Sequence, residues 1–323
     1  MSGAGDTRPS NAALTARAAI ASVSVALFLL ILKSYAAWTT GSVAMLGSLA
    51  DTGLDVLASL ITLYGVRLAA QPADWDHRFG HGKAEALAAL AQVVLIAVSA
   101  IGIFWRATDR LLNDRVTADA ASGIAVSVAA IAATLLLLLY QRRVISSTGS
   151  VAIATDHVHY QSDLLLNLSV IAALALEQYV GLGGADAAFG IAIALWLAWG
   201  AWRASSQAID QLMDREWPEE KRQRFVEVAA RHPELKGIHD LRTRTSGASD
   251  FVQFHVWVDP GMTVAEAHRV MDEVELKLQA EFPGCEILIH LDPEGQVDQP
   301  DNPLAEADLT LAGETPDCPG ATK

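Results

Sequence analysis

The sequence is poor in cysteine and in basic charge, and it lacks the common catalytic motifs. Its 323 residues include two cysteines, Cys285 and Cys318, so we expect no disulfide framework. Its 23 Lys and Arg residues are outnumbered by 37 Asp and Glu residues, which leaves a net charge of -14. Because nucleic-acid-binding surfaces are basic, no nucleic-acid partner is expected. We find no nucleophile elbow, phosphate-binding loop or HExxH pattern, so the chain is not expected to be an enzyme.

Long apolar stretches with little charge fill the first two-thirds of the chain, which is 52% hydrophobic overall. Each stretch exceeds the roughly 20 residues that a helix needs to cross a bilayer. We therefore predict an N-terminal tail at 1–11 and an all-α, six-helix transmembrane domain at 12–213. The predicted spans are 14–38, 42–69, 84–111, 118–141, 150–175 and 185–210.

The last third has an ordinary mixed-charge composition. Helical and alternating patterns follow one another in the order αββαβ, which predicts a small two-layer α/β domain at 214–294. Thr263 with Glu266 three residues later is typical of a capping box at a helix start. The Pro- and Asp-rich segment 295–323 is expected to be a disordered acidic tail.

Basic residues near the span ends predict the orientation of the chain in the membrane. Most of them fall on one side if the spans alternate, including Arg142 and Arg143 in the predicted loop between spans four and five. That side also holds both chain ends. The positive-inside rule therefore predicts a multi-pass protein of the inner (plasma) membrane with both termini in the cytoplasm.

Ionisable residues interrupt the second and fifth predicted spans. Asp51 and Asp55 are spaced i, i+4, as are His159 and Asp163, so each pair lies on one helix face. A carboxylate at the bilayer centre costs about 2.5 kcal/mol or more. One alternative is a buried salt bridge or an interhelical hydrogen bond, but neither span has a Lys or Arg near its centre. We therefore favour a divalent metal bound by all four side chains.

Two further clusters have the composition of metal sites. The polar loop after span two carries one of them, although it is equally compatible with a solvated loop. The other lies in the C-terminal domain, where a single strand histidine would more often have a structural role. The loop residues are Asp74, His77 and His81, and the domain residues are His239, His255, His268, His290 and Asp292.

Five motifs in order resemble the cation diffusion facilitators, and among them the bacterial YiiP-like zinc–proton antiporters. The motifs are SLADTGLDVLASL, FGHGKAEALAALAQ, HYQSDLLLN, HDLRTRTSG and ILIHLDP. The resemblance runs from about residue 12 to 294. It implies a homodimer with a ferredoxin-like cytoplasmic domain. It also implies metal binding at the same three clusters, with Lys83 and Asp214 as an interlocking charge pair.

The family resemblance and the mixed nitrogen and oxygen donors together predict export of Zn²⁺ from the cytoplasm in exchange for protons, by alternating access. Cd²⁺, Fe²⁺ and Co²⁺ remain open as substrates, because affinity alone does not select strictly among such ions. Zinc is also expected as a structural or regulatory metal in the cytoplasmic domain. A metal-gated channel and a membrane-anchored metal sensor are the alternatives.

Overall fold

The computed structural model describes residues 11–40, 43–113, 124–180, 185–232 and 236–294. The chain divides into two compact units, Met1–Leu212 and Met213–Lys323. The predicted acidic tail at 295–323 and all but the last residue of the predicted N-terminal tail lie outside the described residues.

Six long helices form the first unit, in agreement with the predicted all-α membrane domain. In the described part of the chain, five of them (α1 to α4 and α6) are long and apolar enough to cross a membrane. The remaining helix, α5, has 30 residues and carries His159 and Asp163. The helices are α1 (Asn11–Thr40), α2 (Val43–Ala69), α3 (Ala84–Asn113), α4 (Ile124–Thr148), α5 (Val151–Val180) and α6 (Ala185–Leu212).

Small residues allow these helices to pack closely. A Cβ atom added to Gly65 on α2 would lie 2.3 Å from the Cβ of Ala88 on α3. Ala86 and Ala89 of α3 are likewise buried, together with Ala208 of α6. Helices in membranes approach through such small side chains, because lipid supplies no hydrophobic force between them.

The end of α4 differs from the sequence prediction. Arg142 and Arg143, expected in a loop, belong to the last turns of the helix, which ends at Thr148. Arginine and glutamine are good helix formers, so the polar segment continues the helix. The chain turns only at Gly149, whose φ of 65° favours glycine.

The second unit is the predicted αββαβ domain. Strands β1 and β2 form an antiparallel hairpin, and α8 connects β2 to the parallel strand β3. The predicted capping box of Thr263 and Glu266 is present at the start of α8. The elements are α7 (Glu219–Ala229), β1 (Lys236–Ser246), β2 (Ser249–Val258), α8 (Val264–Glu281) and β3 (Cys285–Pro293).

Both helices of this unit share one hydrophobic core with the sheet. Phe225 of α7 is fully buried at its centre. Its ring contacts those of Trp217, Phe254 and Phe282 at centroid distances of 5.2–6.3 Å. Alternating residues Val252, Phe254 and Val256 of β2 face the same core, as expected for one covered sheet face.

Phe225→Ala should destabilise this unit by about 3–5 kcal/mol, since it leaves a cavity among three aromatic rings. The measurement is hydrogen exchange of the β2 amides in the full chain. Leu276→Ala, at an exposed leucine of α8, is the matched control and should change stability by no more than about 0.5 kcal/mol. Equal effects of the two substitutions would contradict this core.

Candidate metal sites

Helices α2 and α5 bring three ionisable side chains together. One ligand atom from each of Asp55, His159 and Asp163 lies within 4.8 Å of the others. Nε2 of His159 is 3.1 Å from a carboxylate oxygen of Asp55 and 3.9 Å from one of Asp163. Ligand atoms around a tetrahedral zinc ion are roughly 3.3 Å apart. The spacing therefore suits a small divalent ion with little adjustment.

The ionisable side chains of this cluster are largely buried, which is uncommon for charged groups. The side chain of His159 is 8% exposed and that of Asp55 is 15% exposed. Two carboxylates this close repel each other in a medium of low dielectric constant. A shared cation relieves the repulsion, so the arrangement favours cation binding.

Asp51 lies outside this group in the structure. Its carboxylate is 3.8 Å from the guanidinium of Arg106 on α3, and both side chains are more than 60% exposed. The i, i+4 spacing places Asp51 one turn before Asp55 on α2. It does not determine whether the Asp51 carboxylate reaches the other three side chains. The assignment of Asp51 as a fourth ligand stays a prediction.

A buried polar hub beside the cluster escaped the sequence analysis. Asp156 of α5 is fully buried, and its two oxygens accept hydrogen bonds from Gln92 of α3 at 3.0 Å and Gln141 of α4 at 2.8 Å. The Gln141 amide also reaches Ser22 of α1, at 3.0 Å. Side chains from three other helices therefore hold α5 one turn before His159. The sequence signal for this hub was the presence of polar residues within apolar segments, namely Gln92, Gln141 and Asp156.

The loop between α2 and α3 brings together its three predicted residues. Asp74 accepts hydrogen bonds from the backbone N–H groups of Asp76 and His77, and its other oxygen is 3.4 Å from Nε2 of His81. The two imidazole rings are 4.5 Å apart. Nδ1 of His81 is buried and has no hydrogen-bond partner within the described part of the chain. This group can bind a metal ion at the surface.

Strand register assembles the cluster of the second unit. His239 pairs with His255 across the hairpin, and His255 pairs with His290 on β3, so three histidines form a row across the sheet. Asp292 contacts all three: its oxygens lie 3.3 Å from His239, 2.8 Å from His255 and 3.4 Å from His290. Ligand atoms of His239, His255 and Asp292 lie within 4.8 Å of one another, whereas His290 contacts the other oxygen of Asp292. Imidazoles and a carboxylate are suitable donors for zinc.

The second unit also orients one ligand. Nδ1 of His239 lies 2.7 Å from the carbonyl oxygen of Gly237, and this hydrogen bond leaves Nε2 available to a metal. His239 also lies between two register irregularities of β1, a common device for re-aiming a side chain. Burial raises the pKa of the Cys285 thiol to about 12, which disfavours Cys285 as a thiolate ligand.

For three further predicted residues the structure shows contacts other than the predicted ones. His268 of α8 is exposed and lies 3.1 Å from Asp272 on the same helix. Lys83 donates to the carbonyl oxygen of Leu212 at 3.2 Å, and Asp214 lies 3.4 Å from Arg244. Lys83 and Asp214 belong to different units, so their pairing stays a prediction, as does the ligand role of His268.

Comparison with known proteins agrees with this architecture. The family model for the cation efflux transmembrane domain matches residues 19–213, and the model for the cytoplasmic domain of cation efflux proteins matches residues 217–294. The fold and these matches define a multi-pass membrane transporter of cations.

Curated relatives extend over nearly the whole chain. The cation-efflux pump FieF of Cronobacter sakazakii is 43% identical over 280 residues, covering 87% of this chain and 93% of its own length. FieF of Serratia proteamaculans is 43% identical over 285 residues, 88% of this chain and 95% of its own. A solved structure of CzrB in its zinc form is 37% identical over 27% of this chain and 99% of its own, with a TM-score of 0.24.

The chain belongs to the cation diffusion facilitator family and is a metal efflux transporter. Both of these relatives are named as cation-efflux pumps.

Asp156→Ala should destabilise the first unit, because it removes one acceptor from each of the buried amides of Gln92 and Gln141. Each lost hydrogen bond costs about 0.5–1.5 kcal/mol. The measurement is the thermal midpoint of the purified protein in detergent, and Asp51→Ala, at an exposed carboxylate, is the control. A midpoint that Asp156→Ala leaves unchanged would contradict the role of the hub.

The loop should lose order in acid. The hydrogen bond from the His77 backbone N–H holds the pKa of Asp74 below its ordinary value of 3.8. A depressed pKa means that ionised Asp74 stabilises the folded loop above about pH 4, and that this stabilisation disappears as the pH falls through the lowered pKa.

Amide exchange of His77 in metal-free buffer, followed from about pH 6 to about pH 3, measures this effect. Wild-type protein and Asp76→Asn should show the acid transition, and Asp74→Asn should lack it. A transition that persists in Asp74→Asn would assign it to another group.

Proposed function

We propose that the chain exports Zn²⁺ from the cytoplasm in exchange for protons, by alternating access. The observation that carries this proposal is the cluster of Asp55, His159 and Asp163, whose ligand atoms lie within 4.8 Å of one another on two helices of the membrane unit. A passive anchor would have no use for these groups in an apolar layer.

The donor types support zinc as the transported ion. Carboxylate oxygens with an imidazole nitrogen suit Zn²⁺, whereas Mg²⁺ prefers oxygen ligands and retains its water. The same donors also accept Cd²⁺, Co²⁺ or Fe²⁺, so selectivity depends on geometry and on the available metal. Asp51 is proposed as a further ligand, reached by reorientation of its exposed side chain away from Arg106.

Competition between metal and protons accounts for the exchange. A carboxylate or imidazole binds a metal only in its deprotonated form, so the cluster holds either protons or the ion. When the cluster faces the cytoplasm it takes Zn²⁺ and releases protons. When it faces the opposite side, protons return and displace the ion. Movement of α2 and α5 relative to the other helices would expose the cluster alternately.

The remaining clusters support regulatory or structural roles. Zinc bound to His239, His255, His290 and Asp292, with His268 contributing, would stabilise a homodimer by mass action. Asp74, His77 and His81 would bind metal in the loop. We propose a transmembrane domain at 12–213 and a cytoplasmic domain at 214–294, with both termini on the cytoplasmic side of the inner (plasma) membrane.

Asp55→Asn should reduce zinc transport into proteoliposomes at least about a hundredfold, because even an outer-shell partner of a metal ligand contributes ten- to a hundredfold. Zinc-sensitive and pH-sensitive dyes enclosed together measure the two fluxes. Asp76→Asn, at an exposed loop carboxylate, is the control and should transport like the wild type.

Two outcomes would contradict the proposal. Unchanged zinc flux in Asp55→Asn would remove the cluster from the pathway. Wild-type flux that neither responds to the pH gradient nor saturates with zinc would indicate a channel.

A further inference from the structure

A cavity of about 250 Å³ lies between α5 and α6, on the membrane unit. Ala154, Val158 and Gln161 of α5 line one wall, and Trp199, Gly200 and Arg203 of α6 line the other. A Cβ atom at Gly200 would be 2.9 Å from a methyl group of Val158, so the two helices meet closely beside the cavity. The cavity therefore has an apolar side and a polar side formed by Gln161 and Arg203.

A positive charge marks the polar side. The guanidinium of Arg203 lies over the ring of Trp199, 5.0 Å from its centroid. The Arg203 side chain is exposed. The amide of Gln207, one turn further along α6, also lines the cavity. Such a group of donors is complementary to an anion.

The composition of α6 places Arg203 at the level of the lipid headgroups. Before it, the helix reads FGIAIALWLAWGAW, and after it the helix reads ASSQAIDQL, which is much more polar. Trp199 and Trp202 are exposed just before the change, as in the aromatic belts of membrane proteins. An arginine at this depth extends its guanidinium to the phosphate layer.

We propose that this cavity binds one anionic phospholipid, with the phosphate at Arg203 and the adjoining acyl chain in the apolar space between α5 and α6. Charge complementarity selects the headgroup, since basic pockets between membrane helices bind acidic lipids. The ring of Trp199 supports the guanidinium from the other side through a cation–π contact.

The position of the cavity gives the lipid a route to the metal cluster. Residues 154, 158 and 161 share one face of α5, whereas His159 and Asp163 lie on the opposite face, because successive residues turn by about 100°. A lipid in the cavity therefore contacts the back of the helix that carries two of the proposed zinc ligands. This second part rests on the proposed transport function, and lipid binding itself does not.

Native mass spectrometry of the full chain in detergent, titrated with phosphatidylglycerol or phosphatidylcholine, tests the site. Wild-type protein should retain one phosphatidylglycerol per protomer in preference to phosphatidylcholine. Arg203→Gln should weaken this binding about fivefold or more, the contribution of one basic group near an anionic surface. Arg203→Lys should restore most of the binding. Arg67→Gln, at an exposed arginine of α2, is the matched control and should bind like the wild type.

Several results would overturn the lipid site. These are unchanged binding in Arg203→Gln, an equal loss in Arg67→Gln, or equal retention of the two lipids by the wild type. Cross-linking of Arg203→Cys between two protomers would assign the cavity to a second copy of the chain.

Transport is measured separately, in vesicles with and without phosphatidylglycerol. The lipid should change the zinc flux of the wild type but not that of Arg203→Gln. Retention of the lipid without any change in flux would overturn the link to α5, whereas absence of flux in every variant and lipid would count against the transport function instead.

Discussion

Electrostatic repulsion between carboxylates in an apolar helix layer is the constraint on which the structure depends. Asp55 and Asp163 both lie within 4 Å of the same His159 nitrogen. Such a group is costly without a cation or protons. Under the proposed function, the cluster holds either the cation or protons but not both, and this competition would couple the two fluxes.

The surrounding helices keep this cluster in place by polar contacts deep in the unit. Gln92 and Gln141 bind Asp156, and the hydroxyl of Tyr160 contacts that of Ser59 on α2 at 2.8 Å. These bonds bracket His159 along α5. In the second unit the same task is performed by strand register, which sets three histidines in a row against one carboxylate. In the loop, Asp74 accepts hydrogen bonds from two backbone N–H groups.

The sequence predicted those structural features that depend on local periodicity along the chain. The length of the apolar stretches predicted the six helices. The i, i+4 spacing predicted that Asp51 and Asp55 share one helix face and that His159 and Asp163 share another. The proximity of Asp51 to Arg106 and the hub at Asp156 were missed, because their partners are distant in sequence and are chosen by helix packing. The extension of α4 through Arg142 was missed because charge was taken as a loop signal, although arginine favours helices.

Zinc X-ray absorption of a variant that carries His81→Ala and His255→Ala isolates the cluster of Asp55, His159 and Asp163, since both other clusters are then disabled. We expect one bound zinc with an imidazole nitrogen and carboxylate oxygens at about 2.0–2.2 Å, and loss of that zinc when Asp55→Asn is added. Absence of bound zinc in the double variant, or a spectrum without imidazole scattering, would contradict this expectation.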